Sequence, residues 1–196
     1  MDFGEPFGGV IPGAHGAVLA VLLRTGEPLT GRQIHRLPSD DYSLWSVQEA
    51  VKLLTQLGLV DTRTVGRAGV HVINESNSFI APLRALVDPI AALRAAISEA
   101  IDPTVQVVLL FGSIARGEAA VDSDIDLAVI ASPAWAKRVE LQSAIHTRLG
   151  NNCDVLVFTE TEFSQLAGTG EPVVSDILRD GIALVGITPR AGRGAP

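Results

Sequence analysis

The chain has 196 residues, 47% of them hydrophobic and 19% charged, which supplies enough apolar material for packed cores and excludes a disordered chain. Its net charge of −7 excludes a basic, non-specific nucleic-acid binder, and the acid is uneven: 8 Lys+Arg face 10 Asp+Glu in residues 1–100, against 7 and 12 in residues 101–196. No segment is apolar for the roughly 18–20 residues a bilayer requires and the start carries no leader pattern, so the expected location is cytoplasmic, with no membrane partner.

Residues 1–12, rich in Gly and Pro, and residues 187–196 are expected to be mobile. From Ala14 to Arg24 the apolar residues run almost continuously, as in a buried helix, and Gly26-Glu27-Pro28 stops them. Thr30 can cap a short second helix from Gly31 to Leu37. After a turn at Pro38-Ser39-Asp40-Asp41, Ser43 can cap a third, with Leu44, Val47, Val51 and Leu54 on one stripe. Gly58 ends it, and residues 59–65 and 70–74 read as two strands around a Gly-containing turn.

Three helices followed by a hairpin, with Leu29 to Ile34 and then Ser43 to Lys52, resemble the winged helix-turn-helix regulators. The resemblance implies a domain over residues 14–78 whose third helix and wing can face DNA through Trp45, Ser46, Gln48, Lys52, Arg63 and Arg67. Glu49 opposes phosphate on that face, so protein docking or dimerisation stands as the alternative to double-stranded DNA, with a homodimer as the geometry for paired half-sites.

Residues 82–100 are helical in pattern, and Pro89 either kinks or divides them. They are read as a connector over 79–102, with the boundary near Ser78 to Pro82. The pattern then becomes that of an α+β domain over 103–187: strands at 105–111, 125–130 and 155–158, and a helix from Pro133 to Leu149.

The chemistry is concentrated in residues 111–127. A strand running into Gly112-Ser113 lets backbone N–H groups and a hydroxyl approach a phosphate closely. Asp124 and Asp126, two apart on a strand, direct both carboxylates to one face, where two like charges call for a hard cation such as Mg²⁺. Either feature alone is more often a simple turn. Asp154, at the start of a further apolar run, can complete a three-carboxylate set of the kind that holds two metal ions about 4 Å apart in phosphoryl transfer.

Gly112-Ser113, ten residues, then Asp124-Ile125-Asp126 resembles the signature of the DNA polymerase beta-type nucleotidyltransferases, particularly their minimal bacterial members, as do Ala115-Arg116-Gly117, Ser123 and the closing 177–186. The resemblance implies a mixed sheet with flanking helices, and transfer of an NMP from an NTP, ATP by preference, to a hydroxyl acceptor with release of pyrophosphate. It assigns the triphosphate to Gly112, Ser113 and Arg116. Two Mg²⁺ ions, with Mn²⁺ as an alternative, go to Asp124, Asp126 and Asp154, and Asp154 also activates the acceptor. A separate helical partner protein accompanies many minimal members. The competing reading is a DNA-binding regulator or antitoxin-like protein in which the transferase fold recognises a nucleotide or a partner. Cys153 is expected as a buried thiol, Trp135 and Phe163 as core or interface residues, and His15, His35, His71 and His146 have no metal-ligand spacing.

Overall fold

A computed structural model of the chain describes residues 1–37 and 42–189, so the expected turn at Pro38 to Asp41 and the last seven residues lie outside it. The chain divides into two compact units, one of residues Glu5–Ala91 and the other of Met1–Gly4 together with Ala92 onward.

The first unit begins with a 3-10 turn at Pro6–Gly9, then α1 (Gly13–Thr25), β1 (Leu29–Thr30), α2 (Gly31–Arg36), α3 (Leu44–Gln56), β2 (Val60–Val65), β3 (Ala68–Ile73) and α4 (Ile80–Leu86). The caps are those the sequence offers. Thr30 accepts from the Gln33 N–H while the Gln33 side chain accepts from the Thr30 N–H, a reciprocal box, and the Ser43 hydroxyl accepts from the Ser46 N–H. The stripe of α3 buries Val47, Ala50, Val51 and Leu54 against Leu19, Leu22 and Leu23 of α1 and Ile34 of α2. Val60 and Ile73, paired across the hairpin, close this core from the sheet side, and β1 adds a third strand in the order β1-β3-β2. The start of the chain departs from the expected mobile segment: Phe7 is buried in this core, where an aromatic ring gains more from burial than the segment loses in freedom.

Pro89 divides the expected connector instead of kinking it. It opens α5 (Pro89–Ala100), where its missing N–H is no loss, and the Asp88 side chain accepts from the Ile90 N–H. The division between the units falls within α5.

The second unit continues with β4 (Val105–Phe111), α6 (Gly112–Ala115), β5 (Ile125–Ala131), α7 (Arg138–Leu149), β6 (Cys153–Phe158), α8 (Glu160–Thr169), α9 (Pro172–Asp180) and β7 (Ile182–Val185). Its sheet has the order β6-β5-β4-β7; β5 and β6 are parallel, joined through α7, and the other pairings are antiparallel. One face packs Leu109, Ala128 and Ile130 on Phe163 of α8 and Val174 and Ile177 of α9, with the Phe158 and Phe163 rings edge to face at 5.5 Å. The alternate positions Val108, Leu110, Leu127 and Val129 are buried on the other face, and α7, which buries Leu141 and Ile145, packs against β6. The helix expected from Pro133 starts only at Arg138, after a turn in which Trp135 is buried. α8 was not among the expected elements; Thr159 and Glu162 form a second reciprocal cap at its start. No described helix is long and apolar enough to cross a membrane.

Candidate active site

Three strand ends meet at one end of the second unit's sheet. In the β4–β5 pairing Phe111 lies opposite Asp126, so the chain leaving β4 delivers Gly112 and Ser113 beside the start of β5. In the parallel β5–β6 pairing Asp126 lies opposite Asp154. Residues in register on neighbouring strands share a face, so the two carboxylates stand side by side on the face that further along packs on α8 and α9. Asp124 is exposed just before β5, Asp154 is exposed on β6, and Asp126 is half-buried between them.

Burial first, then the charges of Asp154 and Asp124, raise the Asp126 carboxyl above the ordinary carboxylate range, and Arg116 partly opposes them. The neighbouring Cys153 is buried as expected, and burial together with the three aspartates pushes its thiol up to about 12, which leaves it an inert core group.

Among the described residues no group of three or more His, Cys, Asp or Glu side chains stands ready gathered to hold a metal ion. The donor set nevertheless fits one. Three carboxylates are hard oxygen ligands for Mg²⁺, and the raised Asp126 marks a place where negative charge is uncompensated. Gly112 adds a geometric reason. Its φ is +72°, and any Cβ there would overlap the Asp126 carboxylate, so the backbone lies directly against the acid as a bulkier residue could not.

The metal-free protein should carry the cost of this charge. With its folded pKa raised, Asp126 contributes stability in acid that is lost as the pH rises through that pKa. Asp126→Asn is therefore expected to raise the melting temperature at pH 7 in the presence of a chelator by about 2–4 °C. The gain should shrink as the pH is lowered toward the carboxylate range; calorimetric scans at pH 7 and pH 4 that show the same gain would remove the electrostatic account.

The loop between the two halves of the motif is internally tied. The Glu118 N–H donates to the Ser113 carbonyl at 2.9 Å, and the Ala120 N–H to the Ser123 hydroxyl at 2.8 Å. Arg116 is exposed and pairs with Glu118 at 2.8 Å, a partner that sequence spacing did not single out; so exposed a pair yields readily to a more highly charged anion.

The residues expected to face DNA are only partly brought together. Gln48, Lys52 and Arg67 line two adjoining cavities of about 480 and 530 Å³ between α3, the start of α2 and the hairpin, which share Gly31, Gln48 and His71. Trp45 and Ser46 lie on the first turn of α3, with Trp45 exposed, and Arg63 alternates to the opposite face of the hairpin from Thr62 and His71. Lys52 stands 3.8 Å from Glu49. His71 is held by Thr62 at 2.9 Å, and burial lowers its pKa. The linings of these cavities carry no carboxylate, whereas three carboxylates stand at one end of the other sheet.

Residues 97–184 match the family model described as Polymerase beta, Nucleotidyltransferase. The match supports a nucleotidyltransferase fold for this stretch and nucleotidyl transfer as the class of activity; nucleotidyltransferases of this type generally use divalent metal ions. No curated protein matches the chain. Among solved structures it is similar to a toxin-antitoxin with AMP-PNP, at 24% identity and a TM-score of 0.39 over 50% of this chain and 74% of that one. It is similar also to the tri-AMPylated HEPN toxin of Shewanella oneidensis in complex with MNT antitoxin, at 22% identity and a TM-score of 0.35 over 50% and 70%. A third structure, of the DNA recognition and protein interaction domains of HOP2, aligns at 22% identity and a TM-score of 0.30 over 32% of this chain and 100% of that one.

Proposed function

We propose that the chain transfers an NMP from an NTP, ATP by preference, to a hydroxyl acceptor and releases pyrophosphate. The observation that carries this reading is the register in which Phe111, Asp126 and Asp154 lie abreast on three adjacent strands, because it brings a glycine-serine turn and three carboxylates to one sheet end. Asp124, Asp126 and Asp154 hold the divalent ions, Mg²⁺ or in its place Mn²⁺, whose charge when bound offsets that developing on the transferring phosphoryl group and on the departing pyrophosphate.

The remaining work falls to the chain's own groups. The turn at Gly112, free of a Cβ, and the Ser113 hydroxyl receive the triphosphate and fix it against the acids. Arg116 exchanges Glu118 for a phosphate oxygen. Asp154, exposed on the outer strand β6, is placed to take the acceptor hydroxyl proton as the new O–P bond forms and the bond to pyrophosphate breaks. The experiment is pyrophosphate release with each of the four NTPs and Mg²⁺ or Mn²⁺, followed by mass analysis of the products for the acceptor. Release with none of them, by folded protein, overturns the reading.

A second reading concerns residues 14–78, which we assign to a winged helix, with 79–102 as connector and 103–187 as the transferase. Its support is the order of three helices and a hairpin, and the two cavities beside α3, whose charged side chains are the cations Arg32, Lys52 and Arg67 with no carboxylate among them. Double-stranded DNA is its proposed partner, held through phosphate contacts. Retention of genomic fragments should fall steeply with salt, weaken for Lys52→Ala or Arg67→Ala, and strengthen for Glu49→Gln. If neither wild type nor Glu49→Gln retains any fragment at low salt, the unit is a protein-docking module.

A further inference from the structure

Asn151, 6% exposed, is the one buried polar or charged residue among the described residues, and it lies in the turn that leads from α7 into β6. Its amide is used on both sides. Nδ2 donates to the Ser123 carbonyl at 3.2 Å and to the Met1 carbonyl at 3.0 Å, and Oδ1 accepts from the Met1 nitrogen at 2.8 Å. Ser123 immediately precedes Asp124, and Asn151 precedes Asp154 by three positions. The side chain therefore ties the segment entering β5 to the segment entering β6, at the ends that carry the acids.

The surrounding backbone is held in the same sense. The Ile125 N–H donates to the Asn152 carbonyl at 2.9 Å, Gln142 of α7 donates to the Cys153 carbonyl at 2.6 Å, and His146 lies 3.3 Å from the Asn151 carbonyl. Gly150, with φ +80°, lets the chain turn out of α7 directly into these contacts. Of these ties, Asn151 alone reaches the residue before Asp124 through a side chain, so a substitution can remove it without touching the backbone.

We infer that Asn151 is a positioning residue for the metal site, setting the separation of Asp124 from Asp126 and Asp154 so that their carboxylates gather around a cation. The inference rests on the reading of those three aspartates as the metal set. Three carboxylates repel, and before a cation arrives that repulsion works against the pairing of the two strand ends. A buried amide resists it by satisfying a carbonyl that would otherwise be left unpaired, and it does so without adding charge. Aspartate, of nearly the same shape, would lose the Nδ2 donor and place a fourth negative charge beside the set.

The test uses the full chain and its Asn151→Ala and Asn151→Asp variants. Mn²⁺ binding in the presence of a non-hydrolysable ATP analogue is measured by calorimetry, Mg²⁺ titrations of pyrophosphate release are run alongside, and thermal melts report folding. A supporting residue of this kind changes metal affinity by about 10–100-fold. Both variants are expected to unfold cooperatively, bind Mn²⁺ at least about tenfold more weakly and need correspondingly more Mg²⁺. Their KM for the NTP at saturating metal should stay close to that of wild type. Asn151→Ser, which keeps a short donor, is measured by the same criteria if Asn151→Ala does not fold. Folded variants with wild-type Mn²⁺ affinity, or activity lost only in proportion to the unfolded fraction, overturn the inference while leaving the metal set standing. Wild-type protein that binds no Mn²⁺ sinks the metal set itself.

Discussion

Alanine at Asp124 or Asp126 is expected to reduce NTP-dependent pyrophosphate release by at least about a thousandfold while the chain remains folded. The size of the effect follows from the chemistry. Phosphoryl transfer offers the protein little covalent work, so positioning and charge compensation carry the rate, and in the proposed site these two residues anchor both. Neither is part of a packed core: Asp124 is exposed and Asp126 half-buried, so truncation should leave the melting temperature at or above that of wild type. Ser113→Ala should be milder, about 10–100-fold, since it removes one hydrogen bond to a charged phosphate and keeps the backbone donors. Steady-state release assays on the three variants, with thermal melts to show folding, read the ordering. A serine variant as inactive as the aspartate variants would make Ser113 a nucleophile or show that the loop has collapsed.

The second large effect belongs to Gly112. Gly112→Ala meets two obstacles, a φ of +72° that side-chain-bearing residues rarely adopt and a Cβ that would overlap the Asp126 carboxylate, and the acid must move for the variant to fold. The expected cost is about 1–3 kcal/mol of stability. Release should fall by about a hundredfold, because a displacement of the order of 1 Å at a reacting site has that consequence. Gly117→Ala is the matched control. Gly117 has the same φ of +72°, but a Cβ there meets nothing within 4 Å, so it incurs the backbone strain without disturbing the acids. Measured together by chemical denaturation and by release assays, the two variants should lose comparable backbone stability while only Gly112→Ala loses the activity. Equal activities would show that the approach of Gly112 to Asp126 has no part in the chemistry.

Much of this is legible along the chain, because the information is local. Thr30, Ser43 and the apolar stripe of α3 announce their helices through contacts three or four residues apart, and Gly112-Ser113 and Asp124-Ile125-Asp126 lie on one continuous stretch of residues. The box from Thr159 to Glu162 is an equally local signal for α8. Other features belong to the tertiary structure alone. Asp154 reads in sequence as an acid before an apolar run, and only the parallel register of β5 and β6 sets it beside Asp126 on the same face. A shift of one residue would have turned it to the other. Asn151 carries no signal in the sequence, and Met1 belongs to a segment expected to be mobile, until the fold joins them across 150 positions and joins Asn151 to Ser123 across 28. Arg63 and Arg67 look equivalent until the alternation of β2 sends one to the far face of the hairpin and the turn brings the other to the cavity. Periodicity and capping depend on near neighbours and can be read one residue at a time, whereas the raised carboxyl of Asp126 comes from burial and from like charges, Asp154 among them, that meet only once the sheet has formed.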